Sequence, residues 1–192
     1  MVTTLVASIA ASGCGRTDLG RSPSQVVIDA LEAASGADPQ TFGGTLHSDV
    51  ETFVDSQRTF FNDLGRAKFH IQLRDSGSQS PTTPTGLNGV TFTRYHVSYQ
   101  RTDGRNTQGV DVPYAFDSAM TVTVPASGDA SAGFEIVRNI AKREAPLKAL
   151  AVSGVILSTI AEVTFYGKDL AGNDVVAVGS IGISFGDFAD PD

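Results

Sequence analysis

Residues 160–185 read IAEVTFYGKDLAGNDVVAVGSIGISF, two alternating segments that flank a turn. Between 160 and 166, apolar residues take every second place, which is the period of a strand with one buried face. Gly172 and Asn173 lie at the centre of the reversal 169–174, where a tight turn needs residues that tolerate a positive φ. The chain then returns as a second strand to Phe185. The stretch therefore predicts a closing β-hairpin.

Two upstream segments show the same period of two. In 67–74 the apolar residues alternate with polar ones and are expected to face the core: Phe69, Ile71 and Leu73. In 90–100 one face carries Tyr95, Val97 and Tyr99, and the other carries Arg94, His96 and Ser98. Both segments are predicted to be half-buried strands. Between them, 76–89 is rich in Ser, Thr, Pro, Gly and Asn, which predicts a surface loop.

The middle of the chain predicts further strands. Segments 119–124 and 133–139 flank the sequence Pro-Ala-Ser-Gly-Asp at 125–129, which is typical of a hairpin loop. Pro113 places 110–115 at a sheet edge or in a loop, because proline has no backbone N–H to donate to a neighbouring strand. Residues 142–149 predict a short helical turn.

The segment 24–36 is ambiguous. Ser24 and Gly36 could cap a helix rich in alanine. Val26, Ile28 and Ala30 alternate with polar or surface positions and begin in a β-branched run, which favours a strand over 25–31. We favour the strand, and the helix remains the alternative.

Seven or more short strands separated by turns predict an all-β fold, an immunoglobulin-like antiparallel β-sandwich with at most one or two short helical segments. The segment 94–99 resembles the third strand of fibronectin type III domains, and 163–173 resembles the last hairpin of bacterial Ig-like repeats. The blocks 93–96, 103–106, 109–114 and 164–167 are similar to a family of uncharacterised bacterial lipoproteins. The resemblance implies a location and a fold but no activity. Antibody-type paired cysteines and tryptophan are missing, so aromatic packing rests on 11 Phe and 4 Tyr.

Composition narrows the possible functions. The chain has 192 residues, of which 41% are hydrophobic and 18% charged, as in an ordinary globular protein. Its formal net charge of −7 repels phosphate backbones, so we expect no nucleic acid among its partners.

The one cysteine, Cys14, ends a mild apolar run. The sequence Ala11-Ser12-Gly13-Cys14 resembles the lipobox of bacterial lipoproteins, which implies lipidation of Cys14 after cleavage of the leader. The alternative is a free thiol in the N-terminal segment. We predict a leader over 1–14, a tether over 15–24 and a single Ig-like domain over 25–192. The protein is then expected in the bacterial cell envelope, periplasmic or surface-exposed, or in the secreted fraction.

No residue pattern in the sequence reaches the specificity of a catalytic motif, so no enzyme activity and no catalytic residue are predicted. The three histidines, His47, His70 and His96, are not expected to bind metal. Calcium is the one conceivable cofactor, with Asp169, Asn173 and Asp174 as weak candidate ligands. The full D-x-[DN]-x-[DN]-G calcium loop is missing, and Asp and Asn serve turns by bonding their own backbone.

We therefore expect a non-catalytic interaction module that binds a protein or glycan of the cell envelope through loops or a sheet edge. The alternative is a structural subunit of an extracellular assembly, in which the segment before residue 46 adds a strand to a neighbouring copy. In either case the protein would touch a membrane only through a lipid anchor, and a homo-oligomer is compatible with both hypotheses.

Overall fold

The computed structural model describes residues 22–74 and 85–188, which form ten strands and two short α-helices. The strands are β1 Ser24–Ala34, β2 Thr45–Asp49, β3 Thr52–Val54, β4 Gln57–Thr59, β5 Asp63–Leu73, β6 Val90–Gln100, β7 Phe116–Val124, β8 Asp129–Val137, β9 Leu157–Asp169 and β10 Asp174–Gly186. The helices are α1 Asn139–Lys142 and α2 Leu150–Ser153. Single 3-10 turns lie at Gly86–Asn88 and Leu147–Ala149.

The strands form two main sheets, which pack face to face. One sheet has the order β1-β5-β8 and the other β2-β10-β9-β6-β7, while β3 and β4 make a separate hairpin. This is the strand order of an immunoglobulin-like sandwich, so the predicted fold class is confirmed. One pairing departs from the antiparallel prediction, because β2 runs parallel to β10. The first part of the chain is divided between the sheets, with β1 in one and β2 in the other.

The ambiguous N-terminal segment is a strand. β1 pairs antiparallel with β5, and a bulge at Asp29 shifts the register between Ile28 and Ala30. The bulge inserts one residue, so Leu31 rather than Ala30 continues the face that packs against the core. Ser22 and Ser24, within the predicted tether, are both buried.

The core between the sheets is aromatic and centres on Phe165. Its ring centroid lies 5.0 Å from that of Phe69 and 5.4 Å from that of Phe134, both on the opposite sheet. Tyr95 and Phe92 complete the cluster from the neighbouring strand β6. The predicted inward faces of β6 and β9 are confirmed, since Tyr95, Val97, Tyr99, Val163 and Phe165 are all at most 4% exposed. On β5, Phe69 is fully buried, whereas Ile71 and Leu73 are half-buried.

The predicted hairpin of 119–124 with 133–139 is wrong, although both segments are strands. β7 pairs with β6, and β8 pairs with β5 in the other sheet. The connection 125–128 has four residues, which span at most about 13 Å, and stacked sheets lie about 10 Å apart. The loop is therefore long enough to cross from one sheet to the other.

The closing hairpin is confirmed, with β9 and β10 in continuous register over twelve residue pairs. Gly172 adopts a φ of +90° in the turn, as predicted, whereas Asn173 is not among the residues with positive φ. Gly167 on β9 allows a close approach of β6, because a Cβ there would lie 2.2 Å from the carbonyl oxygen of Thr91.

Candidate functional site

The two ends of the sandwich are built differently. Four long connections lie at the end where β2 and β10 finish and β5 and β9 begin: 35–44, 50–62, 101–115 and 138–156. We call these four segments the loop end. At the opposite end the connections 125–128 and 170–173 are short turns, and the connection from β5 to β6 has sixteen residues, of which the structure describes 74 and 85–89. Loops on a rigid scaffold are where binding residues concentrate, so the loop end is the candidate functional surface.

The loop end also exposes apolar side chains. Of the thirteen large apolar residues that are exposed in the described chain, eight belong to three of its four segments, 50–62, 101–115 and 138–156. They are Phe53, Val54, Val110, Tyr114, Ile140, Val152, Val155 and Ile156. Val152 is the most exposed, at 90%. Single exposed apolar residues are ordinary, but their concentration on one set of loops is typical of an interaction surface.

A buried polar cluster fixes these loops beneath the surface. The Nζ of Lys142, from α1, lies 2.8 Å from Oδ1 of Asp63 at the start of β5. Ser48 Oγ donates to Asp63 Oδ2 at 2.5 Å, and the Gly36 N–H donates to Asp63 Oδ1 at 2.8 Å. Asp63 and Ser48 are completely buried, and Lys142 is 2% exposed. One carboxylate therefore ties together the segment 35–44, the end of β2 and the helical segment 138–156.

Removal from water raises the pKa of Asp63 above its ordinary value. The adjacent Lys142 ammonium and the hydrogen bonds from Ser48 and Gly36 act in the opposite direction, because each of them favours the carboxylate. A buried charge of this kind is tolerated only when it is paired and hydrogen-bonded. Asp63 is paired with Lys142 and accepts hydrogen bonds from Ser48 and Gly36, so its buried charge is compensated within the protein.

Further hydrogen bonds link the same loops. The side-chain amide of Asn62 donates to Glu135 Oε1 at 2.7 Å, and the Asn139 N–H donates to Asn62 Oδ1 at 2.6 Å. Asp49 accepts hydrogen bonds from Thr52 Oγ1 and from the Phe188 N–H. These contacts tie the loops to the strands and to one another, and loops that are restrained before binding lose less entropy when a partner binds.

The long connection 101–115 is also internally bonded. Asp103 pairs with both Arg101 and Arg105, and the hydrogen bond from Arg101 is the main reason why its pKa lies well below the ordinary value. Tyr114 packs directly over Gly109, where a Cβ would lie 2.3 Å from the phenol oxygen. Gly109 has a φ of +75°, so both its conformation and its lack of a side chain shape the loop.

The three weak calcium candidates are engaged within the protein. Asp169 Oδ1 accepts from the N–H groups of Ala171 and Asn173, and its Oδ2 accepts from the side chain of Asn173 at 2.9 Å. Desolvation raises the pKa of Asp169, but hydrogen bonds, first that of the Asn173 side chain, outweigh it, and the net pKa lies below the ordinary value. Asp174 instead pairs with Lys168 at 2.5 Å. The arrangement is that of a turn bonded to its own backbone.

We expect Gly172→Val to lower the free energy of unfolding by about 1–2 kcal/mol, because a β-branched side chain clashes at positive φ. Ala171→Val, one residue earlier in the same exposed turn, is the control and should change it by less than about 0.5 kcal/mol. Thermal unfolding of the wild type should not respond to EGTA. A melting temperature that falls on chelation and recovers with calcium would instead show that the folded protein binds calcium, and loss of that response in Asp169→Asn would place the ion at this turn.

The histidines lie apart from one another. His70 contacts Asp29 at 2.7 Å on the outer face of one sheet, and His96 contacts Asp117 at 3.2 Å on the outer face of the other. His47 packs edge-on against the ring of Phe188. Within residues 22–74 and 85–188, no three His, Cys, Asp or Glu side chains lie close enough together to hold a metal ion.

The described strand of the segment before residue 46, β1, pairs within its own chain, and so does β2, which begins at Thr45. β1 pairs with β5 over ten residue pairs, and β2 pairs with the end of β10. The hypothesis of N-terminal strand donation would require one of them to leave its sheet.

Comparisons with models of protein families, with curated proteins and with solved structures found no match to this chain.

Proposed function

We propose that this protein is a non-catalytic interaction module of the bacterial cell envelope or of the secreted fraction, which binds a protein or glycan partner through the loop end. The observation that carries the proposal is the concentration of eight exposed apolar side chains on three of the four loops. The buried cluster of Asp63, Lys142 and Ser48 supports it, because it holds those loops in place before any partner arrives.

The position of the same cluster favours a supporting role over a catalytic one. It brings together a carboxylate, an amine and a hydroxyl, which are the groups of acid–base and nucleophilic chemistry. All three side chains are at most 2% exposed, so a substrate cannot reach them in this conformation. Their role is therefore to support the surface above them.

Cys14 lies outside the described residues, and its lipidation remains a proposal that rests on the lipobox-like sequence. Among the helices of the described chain, none combines the length and the apolar character needed to cross a bilayer. β1 begins at the end of the sandwich opposite the loop end, so a lipid on Cys14 would tether the domain from that opposite end.

Expressed with its leader in a bacterium, the wild-type protein should incorporate labelled palmitate and partition into a detergent phase. We expect Cys14→Ser to abolish both properties, because the thiol is the acceptor of the lipid. Ser12→Ala, two residues earlier, serves as the matched control and should keep the label. Undiminished labelling of the Cys14→Ser protein would exclude this anchor.

The binding surface can be tested by placing a photo-cross-linking amino acid at Val152 and comparing it with the same group at Thr121. Both positions are exposed, but Thr121 lies on β7, on the outer face of a sheet. In the native host we expect discrete adducts from position 152 and none from position 121. Equal adducts from both positions, or none from either, would argue against the loop end as the binding surface.

A further inference from the structure

One tyrosine at the loop end presents a face of its ring to solvent. Tyr114 lies in the connection 101–115, and its side chain is 56% exposed. A Cβ on Gly109 would lie 2.3 Å from the phenol oxygen, 2.4 Å from Cζ and 2.8 Å from Cε2 of this ring. The three distances together place that point above the face of the ring and not beyond its edge. Gly109 therefore covers one face, and the exposure of the side chain comes from the other.

The backbone beneath the ring is a tight turn. The Gly109 N–H donates to the carbonyl oxygen of Val112 at 2.8 Å, and the N–H groups of residues 110–112 all donate to the carbonyl oxygen of Thr107. Gly109 has a φ of +75° and no side chain, so the turn can form and the ring can lie against it. The ring of Tyr114 is thus oriented before a ligand arrives, which lowers the entropic cost of binding.

Two polar side chains of the same turn have one atom fixed and one atom unused. Oε1 of Gln108 accepts from the N–H of Ala115, which follows Tyr114 in the chain, at 3.1 Å. Oδ2 of Asp111 accepts from the Thr107 N–H at 3.2 Å. Within the described chain, no hydrogen bond uses Nε2 of Gln108 or Oδ1 of Asp111. A planar donor and a planar acceptor are therefore held in place with hydrogen-bonding capacity to spare.

An aromatic face beside a planar amide and a carboxylate suits a carbohydrate. The C–H groups on one face of a pyranose ring are weakly positive and pack against the negative face of an aromatic ring. Sugar hydroxyls accept from an amide and donate to a carboxylate. We propose that the loop end binds a glycan, with one sugar ring stacked on Tyr114 and its hydroxyls bonded to Gln108 and Asp111. This inference rests on the proposed function and names the chemistry of the partner.

The charges of the loop indicate a neutral glycan. Residues 101–115 contain two Arg and two Asp, so their formal charge is zero. Both guanidinium groups, of Arg101 and Arg105, are paired with Asp103. Within the described residues Asp111 forms no ion pair, so its carboxylate is the uncompensated charge of the turn. A carboxylate in a chain of net charge −7 repels an anionic sugar but accepts a hydrogen bond from a neutral one.

Isothermal titration calorimetry of the purified full chain tests the proposal. The probes are the neutral oligosaccharides cellohexaose, maltohexaose, mannohexaose and chitohexaose, and the anionic hexagalacturonate. We expect the wild type to bind at least one neutral probe and not to bind hexagalacturonate. Tyr114→Ala should weaken the binding at least about tenfold, because the stacking face is lost. Tyr114→Phe keeps that face and should bind within about threefold of the wild type.

Tyr166→Ala is the matched control. Tyr166 is also a surface tyrosine, but the guanidinium of Arg94 lies over its ring, 4.0 Å from the centroid. The variant should bind as the wild type does. The proposal is overturned if the wild type binds none of the neutral probes, if it binds hexagalacturonate equally well, or if Tyr114→Ala and Tyr166→Ala lose the same affinity. Discrete protein adducts from position 152 together with no glycan binding would refute the glycan alone and leave the loop end a protein-binding surface.

Discussion

Replacement of Asp63 by alanine is expected to lower the free energy of unfolding by about 3–5 kcal/mol, because it leaves the Lys142 ammonium buried without a counter-charge. Ser48 and the Gly36 N–H lose their acceptor in the same variant. Urea denaturation followed by circular dichroism measures the loss. Hydrogen exchange should show its local consequence, with faster exchange at the Gly36 amide than in the closing hairpin.

The double variant Asp63→Leu/Lys142→Met is the control, since it removes both charges together. Replacing a buried ion pair with apolar residues is often close to neutral, so the double variant should be more stable than Asp63→Ala. The hydroxyl of Ser48 remains without its acceptor, and full recovery is not expected. If the loss in the double variant equals the sum of the losses in Asp63→Leu and in Lys142→Met, the pair is not coupled.

The connection of this cluster to the binding surface gives a further expectation. If the loop end is preorganised by Asp63, loosening it should reduce adduct formation from the cross-linker at Val152 even under conditions where the Asp63→Ala protein remains folded. If adduct formation is unchanged in the folded Asp63→Ala protein, binding does not depend on the Asp63 cluster.

The sequence predicts a strand and its buried face well where apolar and polar residues alternate along it. The faces of β6 and β9 follow directly from the positions of Tyr95, Val97, Val163 and Phe165. A period of two shows which side chains are buried, but it does not identify the neighbouring strand. For this reason the sequence predicts both β7 and β8 as strands, but the hairpin it predicts between them is wrong.

The buried carboxylate could have been found from the sequence. The alternation of β5, followed backward from Phe69 through Ala67 and Gly65, places Asp63 on the inward face. A carboxylate in that position predicts a buried cation. Its identity could not be predicted, because Lys142 lies 79 residues away on a four-residue helix with no hydrophobic period.

The sequence also does not predict which connections lie at the same end of the sandwich. The turns at 125–128 and 170–173 and the connections at 101–115 and 138–156 alternate along the chain. Only the strand order brings these two connections, together with 35–44 and 50–62, to the same end. A surface made of several loops depends on topology, and local patterns contain no information on topology.

We expect Phe165→Ala to lower the free energy of unfolding by about 3–5 kcal/mol, as for other fully buried rings. Phe165 contacts the rings of Phe69 and Phe134 from the opposite sheet, so its removal leaves a cavity at the junction of the two sheets. Urea denaturation measures the loss.

Glu162→Ala, on the same strand, provides the matched control. Its side chain lies on the outer face and is exposed, so the change should be within about 0.5 kcal/mol. Phe165→Leu should fall between the two, since leucine refills part of the cavity. The order of these three variants tests the inward and outward faces of β9 directly, because a shift of one residue along the strand would exchange the two faces. A larger loss for Glu162→Ala than for Phe165→Ala would show that β9 presents its other face to the core.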